Sequence, residues 1–397
     1  MTHGRRLLLA TVCTVAVATI YVAQPVLGQI GRDLGIPDSD LGWIVAAGQI
    51  GYVVGLAVVV PLGDLLDRRR LIAAQLLLAA ISTLVVAFSS TSWMLLIGLA
   101  AMGLFAVAVQ SAVAFAADLS TPNERGRTLG SVTSGVIIGI LGARVAAGVL
   151  ADLYGWRSVY LVLVLLLVAL SIVVITCLPP DRVAVGTRYR DVWRSLGGLV
   201  REPLFLSRGF IAFFLFASFG ALWSGLALPL AADPWRLSTG EIGLFGIAGL
   251  AGAIGAARAG RWADAGRARP VTGGALALLA VSWFALGQAG WSLWWVVIGV
   301  VVLDFAVQAV HVSNQSLLTA AHPDRTSSTI AGYMIFYSLG SGLGATTTTA
   351  MYSALGWTAS AVLGAVFALC GLLVWGLGRR PFGPRASTMP GHRVREY

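Results

Sequence analysis

Twelve apolar runs, each about as long as a bilayer is thick, follow one another along this chain and leave only short polar gaps. Their limits fall near 7–27, 40–62, 71–89, 93–117, 128–150, 156–178, 207–231, 240–260, 271–290, 293–318, 330–355 and 357–378. In lipid a backbone must satisfy its own N–H and C=O groups, so a span is either a helix or a strand of a closed barrel. Barrel strands need only about ten residues of alternating polarity, and runs this long exclude them. The reading is an all-α membrane protein with twelve transmembrane helices. The first run follows Arg5 and Arg6 as a signal peptide would. It is longer than a signal core, lacks a small-x-small cleavage site and carries Tyr21, Gln24 and Pro25, so it reads as a retained helix. Composition agrees, because 57% hydrophobic and 11% charged residues would cover a soluble protein with one apolar patch.

Every one of the 27 basic residues is Arg, and the formal net charge is +10. That balance invites a nucleic-acid partner, but its distribution excludes one. Arg68, Arg69, Arg70, Arg125, Arg127, Arg182, Arg188, Arg190, Arg194, Arg201, Arg261, Arg267, Arg269, Arg325 and the tail residues Arg379, Arg380, Arg385, Arg393 and Arg395 fall on one side of the topology. Arg32, Arg157 and Arg236 fall on the other. This positive-inside asymmetry places both termini in the cytoplasm of a multi-pass protein of the inner or plasma membrane. Without Lys there is no Walker A loop and no pyridoxal Schiff base. Cys13, Cys177 and Cys370 lie in the runs and read as small packing residues, so no disulfide, metal cluster or cofactor is expected. The spans hold no nucleophile–His–acid set, and the chain does not read as an enzyme.

The longest polar interval opens at Pro179-Pro180 and has six runs on each side. The expected domains are a six-helix bundle over 1–178, a cytoplasmic linker over 179–206, a second bundle over 207–378 and a cytoplasmic tail over 379–397. Tyr154-Gly155-Trp156 and Leu355-Gly356-Trp357 stand 201 positions apart, and so do Pro122 and Pro323. A shared offset argues for duplicated halves. The gaps repeat too: Gly63-Asp64-Leu65-Leu66-Asp67-Arg68-Arg69-Arg70 follows the second run, and Gly260-Arg261-Trp262-Ala263-Asp264-Ala265-Gly266-Arg267 follows the eighth. With the tract Ile20–Pro25, the fifth run and the stretch Leu303–Gln315, they resemble the major facilitator superfamily, in a bacterial efflux-permease branch that includes drug:proton antiporters and arabinose-efflux-like permeases. Arg70 stands where that family usually has a second Gly. The resemblance implies two pseudo-symmetric six-helix bundles with substrate bound near the midplane between them. It also implies a cytoplasmic gate at Gly63, Asp64, Asp67, Arg68, Arg69, Arg70, Gly260, Asp264 and Arg267, whose charge-assisted bonds close one state and break in the other.

Two charges fall well inside the runs, Arg144 in the fifth and Asp304 in the tenth. Each costs about 2.5–3.5 kcal/mol at a helix centre, so each is expected to find a partner or line a cavity. A fixed pair that only locks helices together is the plainer alternative. Asp304, Gln308, His311 and Gln315 share one helical face, with Asn314 beside it. Asp304 and His311, about 10 Å apart along the helix, are the candidate proton carriers, and His311 reads equally well as a core histidine. Gly130, Gly139, Ala143-Arg144 and Ala147-Gly148 resemble the fifth-helix motif of the antiporter branch, whose small residues let the halves approach closely. Ala143 and Arg144 replace its central Gly and Pro, and Leu99 and Ala100 precede Gly103 where the family often has Arg. Arg144 is then an anion site or the partner of Asp304. Tyr21, Gln24, Gln49, Tyr52, Gln110, Trp223 and Ser224 complete a cavity suited to a neutral or amphipathic organic substrate. The expected function is a monomeric secondary transporter exporting a small organic compound, such as a drug, against protons. The alternatives are a sugar or metabolite permease without antiport, and a membrane sensor or scaffold that moves nothing.

Overall fold

The computed structural model describes residues 1–121, 124–181, 197–322 and 325–378. All regular structure among the described residues is helical. The first half holds α1 (His3–Leu34), α2 (Asp38–Gly63), α3 (Arg68–Ala87), α4 (Ser92–Asp118), α5 (Arg125–Tyr154) and α6 (Trp156–Cys177). The second holds α7 (Pro203–Ala231), α8 (Thr239–Ala248 continued by Leu250–Asp264), α9 (Ala268–Leu286), α10 (Leu293–Ala321), α11 (Thr326–Leu355) and α12 (Trp357–Leu377). Each coincides with one of the twelve apolar runs to within a few residues. Pro122, Pro323, most of the linker arginines and the tail lie outside the described residues.

The packing repeats with a shift of six helices. In the first half α1 packs on α5, α2 on α4, and α3 on both α4 and α6; in the second α7 packs on α11, α8 on α10, and α9 on both α10 and α12. Glycine makes the tight crossings possible, because lipid offers no hydrophobic drive and packing must come from close approach. A Cβ on Gly103 would run into the Gly48 backbone, and one on Gly344 into Ala217. The turns repeat as well: Gly155 and Gly356 both bend the chain at left-handed φ, 78° and 79°, between consecutive antiparallel helices. The offset of 201 positions is thus a repeated backbone turn.

The small residues of α5 do not all serve the junction between halves. Gly135 and Gly139 press on Ala10 and Thr14 of α1 in the same half, and Gly130 has no close neighbour. Gly148 meets α8, against Thr239 and Gly240. Gly139 and Gly148 stand nine residues apart, about two and a half turns, and so face opposite ways; a spacing motif cannot say which helix each glycine receives.

The halves meet through α2 on α11 and α5 on α8. Their hydrogen bonds concentrate at the end away from the Arg clusters. Gly42 N–H donates to Thr349 Oγ1 at 3.1 Å, Gln29 Nε2 to Thr239 Oγ1 at 2.9 Å, and Gly240 N–H to Asp152 Oδ2 at 2.7 Å. At the Arg-rich end the bonds among described residues stay within one half: Arg68 with Asp118, Met1 with Glu124, and Glu202 with His322 and Arg325. The lateral surface is apolar, with Leu165, Phe284 and Leu373 exposed. Trp43, Trp93, Tyr154, Trp291 and Trp294 are exposed at helix ends opposite the Arg clusters, where an interfacial aromatic belt belongs.

Candidate functional site

Pro25 lacks the N–H that would continue α1, and the helix breaks at Val22 between Tyr21 and Ala23. The break brings Gln24 inward, where its Oε1 accepts from Arg144 Nε at 3.0 Å. Arg144 is 1% exposed, the largest fully buried residue among the described residues. Its guanidinium carbon lies 3.6 Å from the centre of the Trp223 ring, with Tyr21 and Phe219 at 5.4 and 5.5 Å. A desolvated cation over an indole face is stabilised by about 2 kcal/mol. Neither terminal amino group of Arg144 has an acceptor among the described residues. Leaving a buried donor unpaired costs on the order of 1–3 kcal/mol, more when it is charged.

Trp223 connects this cation to the buried carboxylate. Its indole Nε1–H donates to Asp304 Oδ1 at 3.2 Å while its face carries Arg144. Arg144 and Asp304 form no direct salt bridge; both touch the Trp223 ring system instead. Helix α8 passes these groups with Gly246, Gly249 and Gly252. The helix is interrupted at Gly249, where a Cβ would collide with Asp304 Oδ2. A cavity of about 20 Å³, room for about one water, is bounded by Ile137, Ile140, Leu141, Arg144, Phe219, Gly249, Gly252, Asp304 and Gln308.

The other candidate residues divide. Gln308 lines that cavity one turn from Asp304. His311 turns toward α11, with Nδ1 3.1 Å from Tyr333 Oη and its ring edge-on to Phe216. Tyr21 bonds Tyr337 Oη across the halves, and Gln49 Nε2 donates to Ser341 Oγ at 3.4 Å, also across them. Gln110 Nε2 donates to Tyr52 Oη at 3.1 Å within the first half. Gln315 is half-buried, and Ser224 is buried. Asn314 leaves the group altogether: it is buried and its Oδ1 accepts from Arg208 Nη1 at 3.3 Å. Arg208 is thus a third buried charge, hidden in the sequence because it stands at the edge of a run. Tyr333, Tyr337 and Phe219 also join this region, and an aromatic residue in a span carries no sequence signal of its own.

The repeated loops place their charges as follows. Asp67 caps α3, accepting from Arg69 N–H at 2.9 Å and from Asp181 N–H at 3.2 Å. Arg68 bonds Asp118 at the end of α4 and lies 3.9 Å from Asp181, while Arg69 donates to the Ile175 and Leu178 carbonyls at the end of α6. Arg70 is exposed, 3.8 Å from Asp67. Gly63 lies beside Arg68. The bonds of Arg68 and Arg69 and the one from Asp181 N–H tie the start of α3 to the ends of α4 and α6 in one half, while the Arg69 N–H and Arg70 contacts of Asp67 are local to α3. In the later copy Gly260 has open space around it and Arg267 precedes α9. The side chains of Asp64 and Asp264 lie outside the described residues. At the same end of the second half, His322 Nε2 is 2.5 Å from Glu202, which also bonds Arg325. These two partners, His322 first, hold the Glu202 carboxyl below the usual range.

The family model of the Major Facilitator Superfamily matches residues 7–231 and 209–393. A putative uncharacterized transporter of Escherichia coli K12, YgaY, is 40% identical over 364 residues, which span 91% of this chain and 92% of that protein. A probable transporter of Streptomyces coelicolor, SCO4007, is 31% identical over 375 residues, 89% of this chain and 86% of the other. Among solved structures, a bacterial homolog of the human lysosomal transporter Spinster, inward-facing and unoccupied, superposes with a TM-score of 0.79 at 16% identity, over 95% of this chain and 97% of that one. The human organic anion transporter MFSD10 does so with a TM-score of 0.71 at 16% identity, over 94% and 100%. At such identities the solved structures speak for the fold alone. Twelve helices paired twice in the same order and relatives named as transporters along nearly the whole chain agree: this chain belongs to the Major Facilitator Superfamily and is a membrane transporter, not an enzyme.

Proposed function

We propose that the chain is a proton-linked secondary transporter of a small organic compound, working by alternating access with Asp304 as the proton carrier. The observation that supports this reading is a carboxylate buried at mid-depth in α10, held by one indole N–H and bordering a cavity that also reaches Arg144. A carboxylate in that setting is expensive unless it has a task, and proton relay is the commonest one. The positive-inside rule assigns the Arg-rich end to the cytoplasm. The halves are bonded together at the other end, which supports reading this state as inward-facing. Export by antiport requires that proton and substrate displace one another; cotransport requires that they arrive together.

The test is proton movement in everted membrane vesicles. Addition of a transported compound to vesicles holding a preformed pH gradient is expected to change that gradient. Asp304→Asn is expected to abolish the change while the protein still inserts and melts as before. If the variant couples as well as the wild type, Asp304 does not carry the proton. If no compound moves through the reconstituted wild type, a sensor or scaffold takes the place of the transporter reading.

A further inference from the structure

Arg144 is satisfied on one side only. Its Nε is engaged by Gln24 and its flat face by Trp223, whereas both terminal amino groups lack an acceptor among the described residues. Two amino groups of one guanidinium form a planar fork that matches the two oxygens of a carboxylate. Around that fork stand Tyr21, Phe219 and Trp223, with Phe216 and Tyr337 continuing the aromatic wall toward His311. We propose that Arg144 anchors the carboxylate of an amphipathic organic anion whose apolar body lies on this wall, and that the anion travels together with a proton on Asp304. The proposal rests on the proton-linked reading above and adds the charge class of the cargo.

Charge counting carries the second half. With Asp304 ionised, the buried site holds one positive and one negative charge, both touching Trp223, and an added carboxylate would leave a net negative charge in a low dielectric. With Asp304 protonated, Arg144 is uncompensated and a carboxylate restores neutrality. Anion and proton therefore strengthen each other's binding, as linkage requires to be reciprocal. An organic cation would behave in the opposite way and exchange for the proton. The groups facing Asp304 leave no other charge to alter the count. Arg144 comes from α5, Tyr21 from α1, Trp223 from α7 and the Gly249 backbone from α8. The charged residue of α9, Arg269, is beside Arg208 near the Arg-rich end. On α10 itself Gln308 is uncharged and His311 is turned to Tyr333.

Equilibrium binding to the purified full chain in detergent tests this without requiring transport. The probes are benzoate, phenylacetate and 3-phenylpropionate, each against its matching amide and amine, in mildly acidic and mildly alkaline buffer. The expected result is that carboxylates bind and their amides and amines do not. Affinity is expected to rise on acidification by up to about tenfold per pH unit for one linked proton. Arg144→Gln is expected to lose carboxylate binding, and Asp304→Asn to bind carboxylate in alkaline buffer as tightly as the wild type does in acid. That last outcome is a gain, which a misfolded chain cannot give. Amides binding as well as carboxylates, no carboxylate binding to the wild type, or an unchanged affinity in Arg144→Gln would each overturn the proposal. Carboxylate-driven binding with no proton movement in vesicles would remove the transport reading, while proton movement driven by an amine and not by carboxylates would remove the anchor.

Discussion

Trp223 serves the two interior charges by two different chemistries, and the two can be separated by substitution. Its ring face carries Arg144 and its N–H reaches Asp304. Trp223→Phe keeps an aromatic face and deletes the donor, a loss of about 1.5–3 kcal/mol for a bond to a charged group. Proton-coupled movement in vesicles is expected to fall steeply while the melting temperature drops only modestly; Trp223→Ala, which deletes both contacts, is expected to lower both. A Phe variant that transports like the wild type would show that the indole N–H does not matter. At the Arg-rich end Glu202 gives a pH signature. Its carboxyl is held below the ordinary range by His322 and Arg325, so the stabilisation is present above the unfolded value near 4.3 and is lost as pH falls through the lower folded value. The melting temperature of the wild type is expected to decline in acid more steeply than that of Glu202→Gln. The side chain is 33% exposed, which keeps the effect under about 1 kcal/mol.

Elements meet in this protein wherever a side chain is missing. The crossing of α5 on α8 depends on Gly148 lying against Thr239 and Gly240, next to the Asp152 carboxylate that accepts from Gly240 N–H. Gly148→Leu would overpack this crossing by about 1–3 kcal/mol and wedge the halves apart at their bonded end. Cysteine labelling of that end is expected to rise in the variant, and unchanged labelling would mean the closure does not rest on this contact. The helix limits were legible in the chain, because a span must be long and apolar whatever it packs against. The packing partners were not: Gly139 reads as a residue of the inter-half junction and instead seats α1, beside Gly135. The breaks at Val22 and Gly249 differ in the same way. Pro25 announces the first, whereas the second has no proline, only a glycine pressed on Asp304.

On the scale of the whole molecule, the inter-half bonds gather at and close the end away from the Arg clusters. Gln29 and Thr239 touch across the closed end. In a background without Cys13, Cys177 and Cys370, a Gln29→Cys and Thr239→Cys pair joined by a short bifunctional thiol reagent is expected to stop transport reversibly, since alternating access must part these residues. Transport that survives the cross-link would contradict the rocking of one half on the other. By itself the sequence determined the number of spans, their order, the duplication and the side on which arginine gathers. Each of those follows from a constraint that acts along the chain: bilayer thickness, backbone hydrogen bonding in lipid, or the cost of moving charge across it. It also showed that Arg144 and Asp304 needed a reason to lie in the membrane. Only the tertiary structure decided what that reason is built from. Trp223 stands between the two charges, Gln24 takes one nitrogen of Arg144 and leaves two, and Asn314 turns away to Arg208. Such contacts join residues from four helices, and no periodicity within one helix can specify which faces of its neighbours it will meet.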